Sequence, residues 1–74
     1  MSTDLQQIVS INDLQCKAKE DPKYEQLAII AARNLGAPTA DYPNAIVYLS
    51  LSANESQDEQ GVVDEINFCL DLIP

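Results

Sequence analysis

Between Asp21 and Pro38 the chain writes out a complete helix, start and stop included, and no other stretch constrains the fold as strongly. Asp21 is a good N-cap, because a short carboxylate accepts hydrogen bonds from the unpaired N–H groups of a first turn. Pro22 falls at the first helical position, where its missing N–H costs nothing. Glu25 lies in the first turn, where the helix dipole favours negative charge. The apolar positions run through Leu27, Ile30, Ala31 and Leu35 to Gly36, with Pro38 behind it. Glycine at that place takes the left-handed conformation that ends a helix, and proline prevents resumption. A helix over residues 22–35 is predicted. Its middle, Leu27-Ala28-Ile29-Ile30-Ala31-Ala32, is apolar on every side rather than striped. Such a helix is covered on more than one face, either at the centre of the fold or at a subunit interface.

A second clear pattern closes the chain. Ser56 and Glu59 have the capping-box spacing, and Val62, Val63, Ile66, Cys69, Leu70 and Ile73 recur on one helical face. Asp58, Asp64, Glu65 and Asp71 populate the other face, so a helix over 57–72 is predicted, with Gly61 weakening its first turn by roughly 1 kcal/mol relative to alanine. At the front, Leu5, Ile8, Val9, Ile11, Leu14 and Ala18 fit a helical stripe over 4–20, kinked near Ser10. The alternative is a short strand over 7–11 followed by a helix opening at Ser10 or Asn12, since Ser10 and Asp13 also have cap spacing.

Residues 44–53 carry both periods. Val47, Leu49, Leu51 and Ala53 alternate with Tyr48, Ser50 and Ser52 as in a strand, whereas Ala45, Ile46, Leu49 and Ala53 make a helical face behind an Asp41-Tyr42-Pro43 start signal. A strand needs a partner, and a lone two-stranded sheet is marginal. The expected fold is therefore all-α, a single domain over 1–74 made of four short helices. Its alternative is α+β, with a small two-stranded sheet using 44–53. Residues 36–43 read as an extended loop.

Twelve Asp and Glu against four Lys and Arg, with no histidine, give a net charge of −8 on 74 residues. A body this small hides only a little over ~60% of the surface its unfolded chain exposes, so its core is thin. The negative field repels nucleic acid and anionic membrane and draws in basic protein surfaces. No basic segment leads into an apolar one at Met1-Ser2-Thr3-Asp4, and the longest apolar run, residues 27–32, is far short of the ~18 residues of a membrane span. A cytoplasmic protein without membrane attachment is expected. Cys16 and Cys69 are read as two small buried apolar residues rather than a disulfide.

The residue inventory removes most catalytic chemistry. Without histidine the chain lacks the commonest general base and metal ligand, so Ser10, Ser50, Ser52 and Ser56 have no obvious activator. The carboxylate pairs Glu20/Asp21, Asp58/Glu59 and Asp64/Glu65 are adjacent in sequence, and neighbours on a helix point apart. A calcium-loop alignment on Gly61 puts Asn67 where a bidentate glutamate belongs. An acyl carrier of similar size would need an Asp-Ser-Leu segment, which is absent, and an iron–sulfur protein would need four cysteines. No enzyme activity, metal or cofactor is expected.

What remains is surface. Glu20, Asp21 and Glu25 cluster at the junction of the first two helices, and Glu55, Asp58, Glu59, Asp64 and Glu65 at the start of the last. Carboxylates three and four positions apart on a helix stand ~5–6 Å from one another, a spacing that imitates a row of phosphates. These eight residues are the candidate partner-binding groups of a small acidic inhibitor acting on a basic, nucleic-acid-binding protein. Anti-restriction, anti-CRISPR, polymerase-inhibitor and antitoxin proteins are of this type. The alternative is a homo-oligomeric scaffold or small-ligand module, with Ile29, Ile30 and Phe68 as the candidate interface.

Overall fold

Helix α2, Lys23–Asn34, forms where its start and stop signals place it, in a computed structural model that describes residues 5–73. Asp21 Oδ1 accepts a hydrogen bond from Lys23 N at 3.0 Å, so its carboxylate serves the first turn as expected, while Pro22 stands at the N-cap, just before the helix rather than at its first residue. At the other end Gly36 has φ +97°, Ala37 N donates to Ala32 O at 2.9 Å and Gly36 N donates to Arg33 O at 3.0 Å. This nested pair is the Schellman stop, and it turns Ala37 inward, where it is buried.

Three further helices pack around α2: α1, Ile11–Glu20; α3, Ala45–Ser56; and α4, Glu59–Phe68. Two 3-10 turns, Thr39–Asn44 and Cys69–Leu72, complete the fold, and no strand occurs among the described residues. The all-α expectation of four short helices holds, and the mixed fold with a two-stranded sheet does not. Helix α2 touches all three other helices and both 3-10 turns, so its all-round apolar middle reflects a central position. Ala28, Ala31 and Ala32 are fully buried there, and their small side chains let the neighbouring helices approach closely.

Every helix sends large side chains to one core: Leu14 from α1, Leu27 from α2, Leu49 from α3, and Val63 and Ile66 from α4. Burying a leucine or isoleucine fully is worth about 1.5–3 kcal/mol, so these few residues are the main support of so short a chain. Among the described residues no polar or charged side chain is buried.

Three boundaries differ from the sequence expectation. The first helix begins at Ile11, not near Asp4, which lies outside the described residues together with residues 1–3 and 74. Ser10 is its N-cap: Oγ accepts from Asp13 N at 3.0 Å, while Asp13 Oδ2 accepts from Val9 N at 3.0 Å. The alternative helix start at Ser10 is therefore the correct one, but the strand proposed before it is absent. Residues 5–10 have no regular structure because side chains from elsewhere take their backbone groups. Tyr24 Oη accepts from Gln6 N at 2.8 Å, and the Asn67 amide bonds both backbone groups of Ile8. Asp13 also pairs with Lys17 at 2.7 Å, which holds its carboxyl below the usual aspartate range and raises the lysine.

The second correction concerns the last helix. Ser56 is the end of α3, its Oγ donating to Ser52 O at 2.8 Å, and not the cap of α4. Gln57 turns the chain with φ +55°, and Asp58 caps α4 by accepting from Gly61 N at 3.0 Å. The α-helix ends at Phe68 and tightens into the 3-10 turn. Third, the predicted loop over 36–43 is extended only briefly, because residues from Thr39 onward wind as the 3-10 turn that leads into α3.

Candidate functional site

The eight candidate carboxylates fall into two environments. Glu20 is the last residue of α1, Asp21 its C-cap and Glu25 lies in the first turn of α2, all within reach in sequence of Lys17, Lys19 and Lys23. Negative and positive groups alternate there, so the junction carries little net field. The other half of the molecule is different. Beyond Arg33 the chain contains Asp41, Glu55, Asp58, Glu59, Asp64, Glu65 and Asp71 and no Lys or Arg at all. Among the described residues Lys17–Asp13 is the only salt bridge, so none of the carboxylates of α3 and α4 has a cation partner.

The five on α3 and α4 are not an uninterrupted free row. Glu55 is exposed in the last turn of α3 and makes no side-chain bond among the described residues. Asp64 is exposed and accepts from Gln60 Nε2 at 2.8 Å along the helix surface. Asp58 caps α4, and Glu59 Oε2 accepts from Ile11 N at 2.9 Å, tying the start of α4 to the start of α1. Glu65 Oε2 accepts from Asn34 Nδ2 at 3.3 Å and lies 3.7 Å from the Cys69 thiol. Glu55 is thus available to a partner at no structural cost and Asp64 at the cost of one exposed hydrogen bond, whereas Asp58, Glu59 and Glu65 also serve the fold.

The apolar candidates separate likewise. Ile29 and Ile30 are half-buried and pack against the core, while Phe68 is 70% exposed. Leu72, in the 3-10 turn after Phe68, is also exposed. Both cysteines are free thiols, but only Cys69 is buried; Cys16 lies on the exposed side of α1, contrary to the expectation of two core residues. Burial, and then the nearby Glu65 charge, push the Cys69 thiol up from its usual value.

A broad open groove of about 620 Å³ lies between α1 and α3, lined by the amides Asn12, Gln15, Asn54 and Gln57 together with Ser50 and Leu51. A smaller cleft of about 290 Å³ separates α2 from the 3-10 turn and the first turn of α3. Glu25 and Ile29 form one wall, and Tyr42, Pro43, Ile46 and Val47 the other. The sequence singles out Glu25 and Ile29 but misses the opposing wall, because Asp41-Tyr42-Pro43 reads there only as a helix start. Among the described residues no group of three or more Cys, Asp or Glu is placed to hold a metal ion, and no helix is long and apolar enough to cross a membrane. No protein-family model, curated protein or solved structure matches this chain.

Proposed function

We propose that the protein is a non-enzymatic acidic module that binds a basic protein surface, acting as an inhibitor that occupies a groove otherwise filled by nucleic acid. The observation that supports this reading is the charge asymmetry: seven carboxylates and no cation after Arg33, among them the exposed Glu55 and Asp64. Opposed potentials steer two proteins together and set their register, and the effect weakens with salt. Partners of the anti-restriction, anti-CRISPR, polymerase or antitoxin kind would present the complementary positive groove.

The test is affinity capture from the native host with the unmodified chain and with the double variant E55K/D64K, followed by competition with duplex DNA. A basic protein that is retained at low salt, released by DNA and lost to the double variant is the expected result. Retention indifferent to salt, DNA and both reversals would remove charge mimicry. A second reading, a homo-oligomeric scaffold, is favoured by the exposed Phe68 at the end of α4 and the exposed Leu72 in the 3-10 turn that follows it. Sedimentation of the unmodified protein as a concentration-independent monomer would exclude it.

A further inference from the structure

We propose that the cleft between α2 and the 3-10 turn receives one arginine side chain of the partner. The inference rests on the reading of a basic partner and adds a defined anchor point to it. At about 290 Å³ the cleft lies at the lower limit of small-ligand sites, which suits a single long side chain rather than a nucleotide or cofactor.

Its lining matches the two chemical parts of arginine. Ile29, Pro43, Ile46 and Val47 offer apolar walls to a methylene stem. Glu25 stands at the cleft with a carboxylate that, among the described residues, has neither a cation partner nor a hydrogen bond. Tyr42 adds an aromatic ring, and a planar, weakly hydrated guanidinium stacks on such a ring better than a compact ammonium does. Glu25 and Ile29 are one turn apart on α2, so the carboxylate and the apolar wall share a face. The wall opposite is one continuous stretch of chain, because the 3-10 turn Thr39–Asn44 runs directly into α3. A second copy of this chain is the weaker occupant: its single arginine, Arg33, would have to be brought in against the repulsion of two bodies of charge −8.

The probe is the blocked tripeptide Gly-Arg-Gly, titrated into the full-length protein and followed by amide chemical shifts. The isosteric citrulline and the lysine peptides serve as comparisons. Saturable shifts confined to residues 25–29 and 42–47 are expected, with citrulline silent and lysine weaker. E25Q should raise the dissociation constant about three- to fivefold, as an exposed ion pair allows. Y42L should raise it about two- to fivefold. Citrulline or lysine binding as well as arginine would overturn the assignment. So would shifts confined to residues 55–65, or none at tens of millimolar, even where capture of a basic partner by Glu55 and Asp64 still holds. Self-association abolished by R33Q would hand the cleft to a second copy and overturn it too.

Discussion

Glu59 caps a helix that is not its own. Its carboxylate accepts from Ile11 N at 2.9 Å, across 48 positions of chain, at the point where the N–H groups of α1 have no partner within the helix. It also stands in the first turn of α4, so one negative charge serves the positive ends of two helix dipoles. This divides the acidic residues into those that can be reversed freely and those that cannot. E59Q keeps an acceptor oxygen and should change stability by less than about 0.5–1 kcal/mol. E59K leaves Ile11 N unpaired and places a cation at both N-termini, for an expected loss of about 2–3 kcal/mol. E55K, in the last turn of α3, should be neutral or slightly stabilising, since cations suit a helix C-terminus. Urea unfolding of the three variants checks the order; equal stability of E59K and E55K would remove the cross-helix cap.

Gly61 leaves room for the Asp58 cap. A Cβ at position 61 would collide with the Asp58 carboxylate, which folds back to accept from Gly61 N. Alanine there should gain roughly 1 kcal/mol in helix propensity but displace the cap, which is worth about the same. G61A alone is therefore expected to be nearly neutral, while in a D58A background it should stabilise by about 1 kcal/mol. A double-mutant cycle by chemical denaturation gives the coupling directly, and additivity of the two changes would show that the carboxylate is free to move aside.

The elements that were legible in the sequence are those whose signals are local. Helix α2 is bounded by Asp21-Pro22 and Gly36, residues that act on their own backbone, and it forms as read. Residues 44–53 were resolved as helix by elimination, because no credible strand partner existed. The start of α4 was not legible, since Ser56 and Asp58 are both good caps and what separates them is the path of α3. That helix continues to Ser56, whose hydroxyl donates back to Ser52 O, and Gln57 then makes the left-handed turn. Leu5 and Ile8 mimic a helical stripe because the segment carrying them packs on the same core as Ile11 and Leu14 without being helical. For the site, the acidic surplus was visible as composition. The cleft was not, because only tertiary folding brings Tyr42 and Pro43 opposite Glu25 and Ile29.

The two thiols should react in sequence. Cys16 is exposed on α1, whereas Cys69 is buried, accepts from Asn34 Nδ2 at 3.3 Å and faces Glu65, which disfavours its thiolate. Since the thiolate is the nucleophile, a disulfide reagent at neutral pH should modify one group per chain rapidly and the second only after denaturation. C16S should abolish the fast phase alone. Two groups reacting at one rate, or none reacting before reduction, would contradict the arrangement.

The Asn67 side chain holds the N-terminal segment in both directions, accepting from Ile8 N at 2.9 Å and donating to Ile8 O at 3.0 Å. Ile8 is buried, so its backbone groups have little access to water once that amide is gone. N67A should cost about 2 kcal/mol, lowering Tm by about 8–15 °C for a domain of this size, and should speed amide exchange over residues 5–9. N67D separates the two bonds. Its ionised carboxylate still accepts from Ile8 N but turns a lone pair toward Ile8 O, so that at neutral pH it recovers only part of the loss. Protonation restores a donor, which raises the folded-state pKa of the substituted group above its unfolded value. The stabilisation of N67D relative to N67A should therefore be largest below the unfolded carboxylic-acid pKa and fall as pH rises through the folded one. Thermal melts of the two variants across that range measure the difference. A gap independent of pH would mean that the Ile8 carbonyl does not depend on Asn67 for its donor.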